Sequence, residues 1–380
     1  MEIRLEGTGG PRGWPAPGCG CASCGRLSSG HRGPTSIVID GIVRLTPRAG
    51  DAAHFGVPPG GRLLVRTPDG YEITGPDGSR VLYTPCRDDL HHDEYDEDHE
   101  DDAGPRPREP FDLVLIDLLD RPERLGDLRR RGRVTPGTRV VAVHLDHRIP
   151  SEDELARRLV HWRAEAVPDG TVLDTRDIAA RHPHGDPSPP GPARRTLLLG
   201  GARSGKSEEA ELRVAADPDV TYVATGPAPG EDPAWLARVK LHRDRRPHHW
   251  RTLETIDLAA VLTGSDTPGR TLLIDGIGTW LAAVFDECRA WPRDRDRDPG
   301  WDSDLARTRV AERCDELVAA WRRTRARVVA VSDEIGLGVI PATAAGRLFR
   351  DELGRLNQRL ARESEDVALV IAGRPLPVPI

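Results

Sequence analysis

The sequence has few aromatic residues and almost no lysine. Phenylalanine, tryptophan and tyrosine make up 4% of the 380 residues, whereas 37% are hydrophobic, so the buried cores must consist mainly of Leu, Val, Ile and Ala. Of the 54 basic residues, only Lys206 and Lys240 are lysine. A lysine retained in so arginine-rich a chain indicates a need for a compact ammonium group, which a guanidinium cannot imitate.

The chain also lacks an excess of positive charge and a long hydrophobic run. Its formal net charge is −7 with both signs interspersed, which argues against a dedicated nucleic-acid-binding protein because such proteins carry a basic face. No apolar run approaches the roughly 18 residues that can cross a membrane, and residues 1–4 lack the features of a signal peptide. We therefore expect a cytoplasmic protein with no nucleic-acid partner and no membrane span.

The length of 380 residues favours two domains. Residues 181–194 are rich in Pro, Gly and His without an apolar period, which is typical of a linker. We predict domains at 1–180 and 196–380, joined by a linker at 181–195. In the first domain the pattern predicts one helix at 152–165. It predicts strands at 35–39, 111–116 and 140–143, and short strands within 62–83.

Strands and helices alternate in the second domain. This pattern is typical of an α/β domain whose helices cover a mostly parallel sheet. The strands are predicted at 196–199, 220–224, 271–274, 327–331 and 367–371, and the helices near 206–216, 234–243, 278–285, 305–324 and 344–363.

A phosphate-binding motif follows the first strand of the second domain. The motif is G-x-x-x-x-G-K-[ST], between an apolar strand and a helix. Its glycines let backbone N–H groups surround phosphate oxygens, and the helix that follows points its positive end at the same anion. Lysine is expected to reach the β- and γ-phosphates and serine to ligate Mg²⁺. The predicted nucleotide-binding residues are Gly200, Gly201, Ala202, Arg203, Ser204, Gly205, Lys206 and Ser207.

A carboxylate ends the apolar strand at 271–274. Nucleotide-binding proteins with this loop place an acid there to hold Mg²⁺, directly or through water. We therefore predict that Asp275 and Ser207 form a Mg²⁺ site.

Further motifs of the second domain resemble those of the bifunctional adenosylcobinamide kinase / adenosylcobinamide-phosphate guanylyltransferases. The most specific are H-x-x-x-R-P at 242–247 and E-x-G-x-G-x-x-P at 334–341. The resemblance runs in order through the whole second domain and also includes 200–207, 222–225, 238–252, 275–281, 332–341, 349–351 and 354–358.

The resemblance implies an enzyme of cobalamin biosynthesis with a RecA-like P-loop fold, assembled as a trimer. Such an enzyme phosphorylates adenosylcobinamide with ATP or GTP, and then transfers GMP from GTP through a guanylylated histidine. His242 matches that histidine, and a neutral imidazole is a good nucleophile near pH 7. Glu254 matches an acid that contacts the guanine nucleotide, while Lys206 and Asp275 are the expected catalytic residues of the kinase step.

Two other functions remain open. One is a P-loop small-molecule kinase without nucleotidyl transfer, against which the presence of His242 argues. The other is a non-catalytic, nucleotide-binding regulatory protein, which is disfavoured by the intact Lys206, Ser207 and Asp275. Whether the kinase step prefers ATP or GTP is left open as well.

The first domain resembles phosphodiesterases of the metallo-β-lactamase fold, in a truncated αββα form. That fold carries the signature H-x-H-x-D-H, which this sequence lacks, although Asp117 and His144 match later metal-ligand positions. Because a two-metal hydrolase needs most of its ligands to activate water, we predict that hydrolysis has been lost. The resemblance is carried by residues 7–10, 18–24, 35–40, 111–117, 143–147 and 168–170.

Three clustered cysteines suggest a second metal site. In a reducing cytosol such a cluster indicates metal binding rather than disulfides. By the same resemblance, Cys19, Cys21, Cys24 and His147 would form the closed tetrahedral set of a structural zinc. The alternative is three reduced thiols in a loop. The acidic, histidine-containing tract at 88–102 could collect metal ions, but a solvated loop explains it better.

Overall fold

The computed structural model describes residues 1–46, 63–85, 109–180, 192–226, 246–264, 269–292 and 302–379. The chain divides into two compact units, Met1–Pro192 and Ala193–Ile380. Most of the predicted linker, the tract at 88–102 and the helix predicted at 234–243 lie outside the described residues.

The N-terminal unit is built on two β-sheets. Its described strands are β1 (Glu2–Gly7), β2 (Ser36–Ile39), β3 (Val43–Leu45), β4 (Leu63–Thr67), β5 (Gly70–Thr74), β6 (Arg80–Thr84), β7 (Leu113–Ile116), β8 (Arg139–Ala142) and β9 (Thr171–Asp174). Its helices are α1 (Glu123–Arg130), α2 (Glu152–Trp162) and α3 (Thr175–Ala180).

The two sheets share one core. One sheet has the order β3-β2-β1-β9 and is antiparallel throughout. The other has the order β4-β5-β6-β7-β8 and is parallel from β6 to β8. Alternate residues such as Ile3 and Leu5 of the first sheet and Val81 and Leu113 of the second are fully buried in the same cluster. This is the packing of two sheets face to face; the metallo-β-lactamase resemblance stays a prediction.

The described part of the C-terminal unit forms a seven-stranded, mostly parallel sheet covered by helices. Its strands are β10 (Arg195–Gly200), β11 (Asp219–Ala224), β12 (Arg251–Glu254), β13 (Arg270–Asp275), β14 (Arg327–Asp333), β15 (Asp366–Ile371) and β16 (Arg374–Pro377). The described helices are α4 (Lys206–Val214), α5 (Leu258–Gly264), α6 (Ile277–Glu287), α7 (Ser303–Arg323) and α8 (Ala344–Arg362). The order of the described strands is β12-β11-β13-β14-β10-β15-β16, and among them only β16 is antiparallel to its neighbour.

Residues of the central strands alternate between two cores. Leu197 and Leu272 pack under α5 to α8 on one face, whereas Leu198 and Leu273 pack against α4 and Trp250 on the other. Because both faces are covered, these strands are continuous apolar runs in sequence, as expected for a buried parallel sheet. None of the described helices is long and apolar enough to cross a membrane.

The predicted strands of the second domain are confirmed, each inside an observed strand, but short peripheral elements were missed. β12 is wholly exposed and α5 has only seven residues, so neither produces a recognisable period. The predicted start of the helix at 305–324 moves by two residues, since α7 begins at Ser303. The Asp302 side chain caps it by accepting hydrogen bonds from the backbone N–H groups of Asp304 and Leu305.

Candidate functional site

The loop at 200–207, here called the glycine loop, connects β10 to α4 at the carboxyl edge of the sheet. Its backbone touches the turn between β15 and β16. A Cβ on Gly205 would lie 2.9 Å from the Cα of Gly373 in that turn, whereas one on Gly200 would lie 2.5 Å from Ser204 Oγ of the loop itself and 2.8 Å from the carbonyl oxygen of Val370 in β15. Gly205 also has φ of 93°, where side chains are strained. The Gly373 N–H donates to the Ser204 carbonyl oxygen at 2.7 Å and fixes the loop against this turn.

Lys206 begins α4 and folds back over the glycine loop. Its Nζ donates to the Gly201 carbonyl oxygen at 3.1 Å and pairs with Asp333 Oδ1 at 2.9 Å. Asp333 ends β14 and lies opposite Gly200 in the parallel pairing of β14 with β10. The buried Asn357 amide donates to the Asp333 carbonyl oxygen at 3.1 Å and anchors that strand end.

Asp275 ends β13 and makes a different contact with each carboxylate oxygen. The Ser207 hydroxyl donates to Oδ1 at 3.3 Å, and the Tyr222 hydroxyl donates to Oδ2 at 2.6 Å. Burial, and then the adjacent Asp275 carboxylate, raise the pKa of Tyr222 far above its usual value. The phenol is therefore protonated at neutral pH and acts as a donor. The guanidinium of Arg246 lies over the Tyr222 ring, 3.2 Å from its centroid.

The turn after Asp275 is fixed by a buried threonine. Thr225 Oγ1 donates to the Gly276 carbonyl oxygen at 2.6 Å and accepts from the Gly276 N–H at 3.2 Å. It also lies 2.7 Å from Thr279 Oγ1. These bonds hold the strand end that carries Asp275, next to the start of α6.

The predicted site residues are therefore brought together in part. Lys206, Ser207 and Asp275 meet at one edge of the sheet. Glu254 is the last residue of β12 and lies opposite Ala224 in β11, which is also opposite Asp275 in β13. Two strand spacings separate it from Asp275, about 10 Å. His242 lies outside the described residues.

Sequence reasoning gave no role to Tyr222, Asp333 or Asn357. Tyr222 and Asp333 stand in stretches that the family resemblance includes, and both lie near the ends of strands. Position at the carboxyl end of a parallel strand is the signal that could have identified them, because ligands of such sheets bind there.

The chemistry of this edge suits a nucleoside triphosphate with a divalent cation. Lys206 supplies positive charge beside a loop that opens into a helix N-terminus, where anions are favoured. The Ser207 hydroxyl and Asp275 carboxylate offer oxygen donors, the ligands that Mg²⁺ prefers.

Comparison with known proteins agrees with this geometry. The family described as cobinamide kinase / cobinamide phosphate guanyltransferase matches residues 196–378. A "Bifunctional adenosylcobalamin biosynthesis protein CobU" from Salmonella typhimurium is 36% identical over 179 residues, which cover 47% of this chain and 95% of the relative. The chain belongs to the cobinamide kinase / cobinamide phosphate guanyltransferase family.

Other relatives of this family align over the same half. The protein of the same name from Escherichia coli is also 36% identical over 179 residues, covering 47% of this chain and 95% of its own. A "Bifunctional adenosylcobalamin biosynthesis protein CobP" from Pseudomonas aeruginosa is 40% identical over 187 residues, covering 48% of this chain and 96% of its own. The family match begins at β10 and therefore concerns the C-terminal unit.

The N-terminal unit contains a cysteine and histidine cluster outside that match. The ligand atoms of Cys19, Cys21, Cys24 and His147 all lie within 4.8 Å of one another. Cys24 Sγ lies 3.7 Å from His147 Nδ1. The Cys24 N–H donates to the Cys21 sulfur and lowers the pKa of Cys21, whereas burial raises the pKa of Cys24. Three thiols and an imidazole at this separation fit a tetrahedral metal ion.

A second polar cluster of this unit is organised around Arg148. Its guanidinium contacts Asp117 Oδ2 at 3.0 Å, Asp120 Oδ2 at 2.7 Å and Asp146 Oδ1 at 2.8 Å. Its Nη2 donates to the His144 carbonyl oxygen at 2.8 Å. The positively charged guanidinium of Arg148 therefore occupies the space between these three carboxylates.

His144 and Asp117, the two later ligand positions of the hydrolase resemblance, lie in this cluster. Burial, with the nearby Arg148 charge, lowers the pKa of His144 to about 4, so its imidazole is neutral at pH 7. Its Nε2 is 2.8 Å from the Tyr83 hydroxyl. Since Asp117 is paired with a guanidinium, the cluster as it stands does not fit a two-metal centre, and the loss of hydrolysis stays a prediction.

The Arg148 cluster generates a stability prediction. Arg148→Ala leaves the buried Asp117 carboxylate without its cation, and we expect unfolding of the N-terminal unit to become easier by about 3 kcal/mol. Arg176→Ala is the control, because its pair with Asp174 lies at the surface, where a salt bridge contributes little to stability. Denaturant unfolding measures both; equal effects of the two variants would contradict the role given to Arg148.

The glycine loop generates a second prediction. Gly205→Ala forces a side chain into positive φ and against the Gly373 Cα, so we expect a loss of roughly 1–3 kcal/mol in the stability of the C-terminal unit. At Gly201 a Cβ meets nothing within 4 Å, so Gly201→Ala should change stability by less than about 0.5 kcal/mol. Thermal unfolding without nucleotide tests this prediction. An unchanged thermal midpoint for Gly205→Ala would contradict it and would show that the turn at Gly373 can move to accept the side chain.

Proposed function

We propose that the C-terminal unit is an adenosylcobinamide kinase and adenosylcobinamide-phosphate guanylyltransferase acting in cobalamin biosynthesis. The observation that carries this proposal is the meeting of Lys206, Ser207 and Asp275 at the glycine loop, in a region that aligns with nearly the full length of its relatives. The substrates are ATP or GTP and adenosylcobinamide, and the enzyme is proposed to work in the cytoplasm as a homo-oligomer, a trimer by the family resemblance.

In the kinase step, the glycine loop binds the triphosphate and Lys206 neutralises charge on its β- and γ-phosphates. The oxygen of the aminopropanol hydroxyl attacks the γ-phosphorus. The bond from that phosphorus to the bridging oxygen breaks, the nucleoside diphosphate leaves, and the hydroxyl proton is released to solvent. Lys206 changes its partner in this step, from the Asp333 carboxylate to the phosphates.

In the transfer step, His242 is the nucleophile. Its neutral imidazole nitrogen attacks the α-phosphorus of GTP, and pyrophosphate leaves. An oxygen of the corrinoid phosphate then attacks the same phosphorus and breaks its bond to the imidazole nitrogen. The products are adenosylcobinamide-GDP and free His242, with Glu254 contacting the guanine nucleotide.

Ser207 and Asp275 would hold the Mg²⁺ of the nucleotide. Their oxygens lie 3.3 Å apart, next to the loop that receives the phosphates. When bound there, Mg²⁺ offsets the negative charge of the phosphates.

Labelling with GTP carrying ³²P at the α-phosphate tests the transfer step. We expect an acid-labile label on the wild-type chain and none on His242→Ala, because the phosphoramidate needs that imidazole. His248→Ala is the matched control, since His248 is an exposed neighbour outside the matched position and should keep the label.

The outcomes of this labelling separate the alternatives. Label on His242→Ala would reject the assigned nucleophile. No label on any variant, with γ-phosphate still transferred to adenosylcobinamide, would leave a kinase without nucleotidyl transfer. Nucleotide binding with neither reaction would favour a regulatory protein.

For the N-terminal unit, we propose a non-hydrolytic domain with a structural zinc held by Cys19, Cys21, Cys24 and His147. The support is the convergence of four ligand atoms within 4.8 Å in a closed set. Zinc bound in this way stabilises the fold instead of activating water.

Metal analysis of purified protein tests the zinc proposal. We expect about one zinc per chain in the wild type, and loss of that zinc with a lower thermal midpoint in Cys24→Ser. Cys288→Ser, which removes a cysteine from the other unit, should retain the metal. A wild-type chain free of zinc after growth and purification with zinc would reject the proposal.

A further inference from the structure

Tyr222 lies at the centre of the nucleotide-binding edge but contributes no group to the proposed reaction. Its side chain is buried, with 4% of its surface exposed, between α4 and the sheet. The hydroxyl donates to Asp275 Oδ2 at 2.6 Å. A buried tyrosine requires a partner for its hydroxyl, and many backbone carbonyls could serve. Here the partner is the carboxylate proposed to bind Mg²⁺.

Because of the contact with Tyr222, the two carboxylate oxygens of Asp275 have different partners. Oδ2 accepts from Tyr222, which leaves Oδ1 directed at Ser207 Oγ, 3.3 Å away. The terminal torsion of an aspartate is broad and roughly two-fold. Without a second contact, the carboxylate of Asp275 could rotate and turn Oδ1 away from Ser207.

Arg246 covers one face of the Tyr222 ring. Its guanidinium is stacked 3.2 Å from the ring centroid. A cation is attracted to the face of an aromatic ring, so the guanidinium in this position limits movement of the Tyr222 ring. Arg246 belongs to the H-x-x-x-R-P motif and follows His242 by four residues in sequence. One line of contacts thus runs from that motif through Tyr222 and Asp275 to Ser207.

We infer that Tyr222 is a positioning residue, which fixes the Asp275 carboxylate and thereby sets the affinity of the nucleotide site for its divalent cation. The inference rests on the proposed function only in taking a nucleoside triphosphate with a divalent cation as the ligand. Groups that orient metal ligands typically change metal affinity 10–100-fold when they are removed.

The test is the Mg²⁺ dependence of nucleotide binding in the full chain. Binding of a fluorescent, non-hydrolysable GTP analogue is titrated with Mg²⁺ for the wild type and for Tyr222→Phe, which keeps the ring under Arg246. We expect the half-saturating Mg²⁺ concentration to rise roughly 10–100-fold, with wild-type affinity restored at saturating Mg²⁺. A half-saturating concentration equal to that of the wild type would overturn the inference.

Tyr83→Phe is the matched control. It also removes a buried tyrosine hydroxyl, which contacts His144 at 2.8 Å in the N-terminal unit. A general effect of losing such a bond would appear as a lower thermal midpoint in both variants, whereas a shift in Mg²⁺ dependence is expected for Tyr222→Phe alone.

A double-mutant cycle strengthens the test. In an Asp275→Asn background, Tyr222→Phe should add little further shift, because the hydroxyl acts through the carboxylate. A full additional shift would also overturn the inference. These binding measurements need no corrinoid. If wild-type protein binds nucleotide with the expected Mg²⁺ dependence but phosphorylates no adenosylcobinamide, the proposed function fails while the assignment of Tyr222 stands.

Discussion

The C-terminal site depends on the close approach of two backbone segments. The glycine loop turns at the end of β10 with Gly205 against the turn between β15 and β16, at a distance that leaves no room for a Cβ at Gly205. The hydrogen bond from the Gly373 N–H to the Ser204 carbonyl oxygen fixes that approach. The start of α4, and with it Lys206 and Ser207, takes its position from this contact.

Charges of the site are balanced internally before any ligand binds. Lys206 is paired with Asp333, and Asp275 accepts hydrogen bonds from Ser207 and Tyr222. A triphosphate bound as proposed would replace Asp333 as the partner of Lys206, and this exchange would lower the net gain in affinity from the lysine. The same principle governs the N-terminal unit, where Arg148 occupies a group of carboxylates.

The part of the candidate site that the structure brings together could be predicted because local sequence determines its chemistry. Residues 200–207 and Asp275 stand directly after buried apolar strands, and the parallel order of those strands brings them to one edge. Its position near the end of a strand could have placed Tyr222 at this edge, but its contact with Asp275 depends on which side chain stands next to it across the sheet, and no local pattern encodes that. Likewise, Arg148 is one of 52 arginines, and only the fold shows that three carboxylates converge on it.

The position of β10 has a consequence for the order of folding. β10 comes first in its unit, yet it pairs with β14 and β15, which begin at Arg327 and Asp366. Within this unit, the glycine loop is therefore synthesised before β14, β15 and the turn between β15 and β16 that contacts the loop. While the chain is emerging, the apolar strand ahead of the loop has neither sheet neighbour, and pairings so distant in sequence form slowly. The phosphate-binding edge is therefore among the final parts of the unit to be completed during synthesis.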